Sequence, residues 1–248
     1  MLSLGERDAH DQPLGSLRVR HSADGSCLDR RSVRRNSRRI DMSDLFGGEM
    51  EKGAVLSDCG KYRYVLWRRW DTAKPRLIFI MLNPSIADAE QDDATIRVCM
   101  GRARRMDMGG IHVLNLFAFR ATDPTQLDGV ADPVGPENDR YIEKYLGMRD
   151  FDGDGQRFEM MIAAWGDGGL RPGLAPTLRS AARADWARPR RERWREVVSQ
   201  ICGEMGDRLF CLGTTKAGQP KHPLRISYDV APTLWMDRER YRGLPWGS

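Results

Sequence analysis

Six consecutive apolar residues, Leu77 to Leu82, stop abruptly at Asn83-Pro84-Ser85. The run has the length and β-branched content of a strand covered on both faces, so a chain containing it must build a layer on each side. Pro84 cannot donate to a strand ladder, which ends the strand and leaves two short polar side chains at its carboxyl end. Asp88, Asp92, Asp93 and Thr95 follow, then a basic amphipathic segment. In open α/β sheets ligands bind outside the carboxyl ends of strands, so a site is expected here.

The same grammar recurs along the chain. Tyr62–Trp67 alternates and is aromatic, as an edge strand does. Thr95–Met108 carries Ile96, Cys99, Met100 and Ala103 on one side, which predicts a helix capped by Asp92 or Asp93 and ended by Gly109-Gly110. Ile111–Leu116, Met160–Trp165 and Arg208–Leu212 read as further buried strands, with helices over Glu137–Leu146 and Glu192–Met205. Asp150–Phe158 lacks the closing Glu of a calcium loop and reads as a turn. Strands alternating with helices predict a three-layer α/β/α sandwich with a mostly parallel central sheet.

The domain is expected over residues 46–248, with a basic, Pro/Gly-rich insertion near 167–190. Before it, residues 1–45 hold few large apolar side chains, and Arg30–Arg39 packs six arginines into ten positions. Such a segment buries too little surface to offset its chain entropy, so a disordered basic extension is expected. Its plain reading is a solvated tail; its functional reading is a nucleic-acid arm. The whole chain carries a formal charge of +5 from 40 basic and 35 acidic residues, which permits a polyanionic partner without requiring one. The five cysteines are odd in number and scattered, which is neither a disulfide framework nor a metal spacing. No apolar run is long enough for a membrane span. A cytoplasmic monomer with no metal and no cofactor is the expectation.

The strand ends would gather Asn83, Ser85, Asn115, Trp165, Gly166, Thr214, Lys216 and His222 on one rim. An Asn amide can hold a water or read the edge of a base, and a His can donate to an oxygen on which charge develops. Asp92 and Asp93 can orient water. Lys216, Lys221 and Arg225 with Thr214 suit phosphates. Each has a plain structural alternative: Asn83 as a turn cap before Pro84, the two aspartates as helix caps, Asn115 as a partner of neighbouring loop backbone, and His222 as a His before Pro, individually weak evidence though one of only four histidines.

The motifs YVLWRRWD, LNPSIADAEQDDATIRVC, NLFAFRATDP, PVGPENDRYI, AAWGDGG and CLGTTKAGQPKHPL resemble a bacterial and phage family defined only as a domain of unknown function. Their order is also distantly similar to the uracil-DNA glycosylase superfamily, with Leu82–Ser85 resembling its first motif. That resemblance implies a uracil-DNA-glycosylase-like fold and hydrolysis of an N-glycosidic bond in DNA after base flipping. It assigns Asn83, with Asp92 or Asp93, to the water, and His222 to the leaving base. Asn115, Phe117 and Pro84 would bind the base. Ser85, Arg120, Thr214, Lys216, Lys221 and Arg225 would hold phosphates, and Leu224 would be the wedge. Ser85 and Leu224 stand where the mismatch branch usually carries Gly and Ser. Three alternatives stand beside this reading: a non-cutting reader of modified or damaged DNA, an enzyme of free nucleosides or nucleotides, and an accessory protein working through its tail.

Overall fold

The computed structural model describes residues 50–85, 87, 89–147, 158–170, 193–204 and 208–245. The expectations for the 1–45 extension, the Asp150–Phe158 turn up to residue 157, the insertion beyond residue 170 and Asp88 therefore lie outside the described residues.

Among the described residues seven strands form one sheet in the order β1-β2-β4-β3-β5-β6-β7. They are β1 Glu51–Leu56, β2 Arg63–Arg69, β3 Arg76–Met81, β4 Gly110–Asn115, β5 Phe158–Ala163, β6 Leu209–Cys211 and β7 Thr233–Met236. The inner four, β4-β3-β5-β6, are parallel. β1 on β2, β2 on β4 and β7 on β6 are antiparallel. The sheet is thus mixed, which corrects the expectation of a mostly parallel one. The short Ser57–Tyr62 connection forces β1 and β2 into a hairpin, because only a crossover of a dozen or more residues can make neighbours parallel.

Both faces are covered, as the apolar run at β3 demands. On one face Leu77, Phe79 and Met81 of β3 and Ile111 and Val113 of β4 pack on Ile96, Cys99, Met100 and Ala103 of α1 (Ala94–Arg105). On the other, Ile78, Ile80, Leu114 and Tyr64 meet Ile142 of α2 (Asn138–Gly147). Trp194, Val197 and Val198 of α3 (Arg193–Val198) join them, with Ile201 and Cys202 of the π-helical turn that continues it and Tyr241 of α4 (Arg238–Arg242). Helix α1 ends at Arg105, before the two glycines; Asp107 takes the left-handed conformation with φ 58°. Gly109 serves instead where chains converge, since a Cβ there would lie 2.0 Å from the Asp71 carbonyl.

The chain leaves β3 through α1 to β4 on one side, then returns to β5 on the other side of β3. A crevice opens where a parallel sheet reverses its winding in this way. The reversal lies at the carboxyl end of β3, where Asn83 stands.

Candidate functional site

A cleft of about 620 Å³ occupies that crevice, lined by Asn83, Ser85, Asp93, Trp165, Asp167 and His222 among others. Its size falls in the range of small-molecule pockets.

The β3–α1 loop forms the first wall. The Asn83 amide nitrogen donates to the carbonyls of Pro84 at 3.0 Å and Ala121 at 2.8 Å. The Ala121 amide donates back to the Pro84 carbonyl at 2.9 Å. Asn83 therefore stitches two rim loops together with both amide hydrogens. Asp93 caps α1, accepting from the Ile96 amide at 2.8 Å, and lines the cleft. Asp92 instead receives the Arg68 Nε at 2.8 Å, and Arg68 is fully buried. Arg63, also buried and lining the cleft, donates from Nη1 to the Ala87 carbonyl at 2.6 Å.

The second wall follows β5. Trp165 donates from its indole nitrogen to Gln219 Oε1 at 2.9 Å and stands edge-on to Trp235 with centroids 5.4 Å apart. Gly166 turns the chain with φ 64°, a conformation that favours glycine. Its amide donates to the Pro220 carbonyl at 2.7 Å. Asp167 Oδ1 accepts the Thr215 hydroxyl at 2.5 Å. These bonds dock the Gly213–Gln219 hairpin against the end of β5.

His222 leaves that hairpin and begins the 3₁₀ turn Pro223–Arg225, its Nδ1 accepting from the Leu224 amide at 3.4 Å. In the neutral ring the proton then sits on Nε2, free to be donated. Partial desolvation holds the imidazole below its ordinary pKa, opposed by the negative charge of Asp93. His222 also borders a second hollow of about 690 Å³, lined by Thr215, Lys221, Arg225, Ser227 and Val230. The ring thus marks the ridge between a cleft lined by Asp93, Asp167 and Arg63 and a hollow lined by Lys221 and Arg225.

Of the residues singled out from sequence, Asn83, Ser85, Asp93 and His222 meet in the cleft, and Lys221 and Arg225 in the hollow. Lys216, Thr214 and Leu224 are exposed outside both linings, with Leu224 at 42%. Four others go elsewhere. Asp92 serves Arg68. Phe117 is buried in the core under α2. Pro84 is buried in the turn and off the cleft lining, while Arg120 Nη1 donates to the Gly60 carbonyl at 3.3 Å. Asn115 is wholly buried, and neither carboxamide atom has a hydrogen-bond partner among the described residues. Its register partner is Met81, which lines the cleft; by strand alternation Asn115 shares Met81's face. Two charged lining residues, Asp167 and Arg63, escaped sequence reasoning. Asp167 follows a strand-ending glycine as Asn83 follows β3, a signal that was there; Arg63 opens a strand and offered none.

Among the described residues no three His, Cys, Asp or Glu side chains converge as metal ligands would, and no helix is long and apolar enough to cross a membrane. A family model described as protein of unknown function (DUF1643) matches residues 63–224, from the start of β2 to the turn that follows His222. No curated protein and no solved structure matches the chain.

Proposed function

The chain belongs to the DUF1643 family, whose description carries no activity, and from the rim itself we propose that the cleft hydrolyses the N-glycosidic bond of a flipped uracil or modified base in DNA. The observation that carries this is the meeting of Asn83, Asp93 and His222 in one cleft at the switch point of the sheet. The helical layers on both faces are compatible with a uracil-DNA-glycosylase-like fold, which forms part of the proposal.

A nucleotide turned out of the stack enters with its base between the walls. Asn83 Oδ1 and the Asp93 carboxylate hold a water near C1′. As the bond from C1′ to the base nitrogen lengthens, its electron pair goes to the base and C1′ becomes oxocarbenium-like. His222 Nε2–H donates to the base oxygen that gains this charge. The water oxygen then bonds C1′ and its proton passes to Asp93, leaving an abasic sugar and a free base. Asn115 lies beside the lining residue Met81 with an unspent amide, so small adjustments of that wall would let it select the base edge. Lys221 and Arg225 in the adjoining hollow, with Lys216 outside it, would carry the phosphates.

The test is a panel of labelled oligonucleotides bearing uracil, mismatched thymine, hydroxymethylated or glucosylated bases, treated with alkali after incubation. Alkali-labile product in one of them supports the reading. Binding without product would move the function to a non-cutting reader, a role favoured by the commitment of both Asn83 amide hydrogens to main-chain carbonyls. Neither binding nor product, with conversion of free nucleosides, would move it to a nucleoside enzyme.

A further inference from the structure

Helix α1 touches the rim twice. Its first residue's cap, Asp93, lines the cleft. Two and a half turns on, Arg102 reaches the loop that follows His222. Its Nη2 donates to the carbonyls of Ile226 and Ser227, both at 2.7 Å, and its Nη1 to that of Val230 at 3.2 Å. Arg102 is 3% exposed, and among the described residues none of its hydrogen-bond partners is a carboxylate. A guanidinium is costly to bury without a counter-charge, so one spent wholly on three loop carbonyls marks a constraint worth holding. Tyr228 completes the grip: it lies under the guanidiniums of Arg105 and Arg102, 4.0 and 5.5 Å from the ring centroid. A Cβ on Gly101 would come within 2.8 Å of the Tyr228 hydroxyl, so the glycine lets the ring lie against the helix.

What this clasp fixes is the 3₁₀ turn that carries His222. On its amino side the turn is anchored by Lys221 N to the Gly213 carbonyl at 2.9 Å and by Gly166 N to the Pro220 carbonyl. On its carboxyl side the turn closes with Ile226 N on the Pro223 carbonyl at 3.2 Å, and Ile226 is the residue whose own carbonyl Arg102 holds. Removing the guanidinium frees that end, and with it the Leu224 amide that keeps His222 Nδ1 an acceptor.

We propose that Arg102 is the positioning residue of His222, setting the imidazole's orientation and tautomer at the cleft through the Ile226–Val230 loop. This deepens the hydrolase reading for its catalytic meaning, but its geometric content stands without that reading. A rod-like helix holding Asp93 at one end and the His222 loop near the other also fixes the separation between the two groups.

The charged and titratable groups around the imidazole are Asp93 from the α1 cap, Arg63 of β2 and Asp167 in the cleft lining, and Lys221 and Arg225 from its own loop. None of them is altered by changing Arg102. The test is two-dimensional ¹H–¹⁵N NMR of the histidine side chains across a pH titration of the full chain. It compares wild type with Arg102→Met, Arg102→Lys and the control Arg104→Met, whose exposed guanidinium lies over Trp70. In the wild type the expected state is the Nε2–H tautomer with a pKa below the ordinary value. Arg102→Met should give a tautomer mixture and a pKa raised toward about 6.5, Arg102→Lys an intermediate state, and Arg104→Met no change. Should Arg102→Met fail to fold, Arg102→Lys decides. A folded Arg102 variant with the wild-type tautomer and pKa overturns the proposal. If turnover is found, Arg102→Lys should lower kcat about 10-fold or more with KM little changed. An absence of any turnover would count against the hydrolase reading while leaving the NMR result to judge the clasp.

Discussion

His222 and Asn115 make the two sharpest claims at the scale of single residues. His222 acts as a neutral donor, its Nδ1 taken by the Leu224 amide. Losing one preorganised donor at such a site costs on the order of 3 kcal/mol in barrier, or about 10² in rate. His222→Ala should therefore slow turnover by about that factor with an unchanged circular dichroism spectrum. The ring's pKa is lowered from 6.5 by desolvation, so on acidification the unfolded chain takes up the proton first. Stability should be flat above the unfolded value, fall as pH drops from there to the folded one, and level off below it. Turnover should keep its level down to the folded pKa and fall below it, as protonation at Nδ1 ejects the Leu224 amide. His222→Gln should flatten the stability limb in pH-dependent thermal melts. Asn115 predicts an opposite pairing of effects. Its buried amide has no partner among the described residues, and such a group costs about 1–3 kcal/mol. Asn115→Leu should leave the melting temperature level or raised while base selection is lost; a falling melting temperature with selection intact would mark it as structural.

At the scale of elements, the acidic pair before α1 divides its labour. Asp93 caps the helix and faces the cleft, while Asp92 neutralises buried Arg68 of β2. Removing one partner of such a pair strands a buried charge, so Asp92→Ala should destabilise by about 3 kcal/mol in urea unfolding. Asp93→Ala should cost only about 1 kcal/mol, as a lost cap does, but should lower turnover. Sequence could name both as caps or water holders and could not divide them, because the discriminating partner, Arg68, is an ordinary-looking arginine in a strand. The inner strands were legible for the opposite reason. Leu77–Leu82, Ile111–Leu116 and Met160–Trp165 are apolar on both faces, and each lies within two residues of the strand observed. β1 and β7 were missed because Glu51–Leu56 is mostly solvated and Thr233–Met236 is four residues long, so neither presents an unbroken buried pattern. Those two edges, with β2, are what make the sheet mixed.

Over the whole molecule, the convergence of strand ends was legible and the pointing of side chains was not. Asn83, Ser85, Asp93 and His222 reach one cleft because the parallel strands β3 and β6 release their loops on one edge. Phe117 sits on the same stretch as Asn115 yet is spent on the core. The charge pattern has a measurable consequence at this scale. If Lys216, Lys221 and Arg225 each neutralise one phosphate, the logarithm of the DNA association constant should fall with that of salt at a slope of about −3. Lys221→Ala should reduce the slope by about one, read by fluorescence anisotropy over a salt series. The central claim is that the cleft breaks the bond between C1′ and a base by adding water. It is tested most directly by incubating oligonucleotide substrates in H₂¹⁸O and resolving the products by mass spectrometry. The account predicts a free base and one ¹⁸O in the abasic sugar with the wild-type chain, both reduced about 10² in His222→Ala. Intact DNA across every substrate, or release at the same rate in His222→Ala, would contradict it.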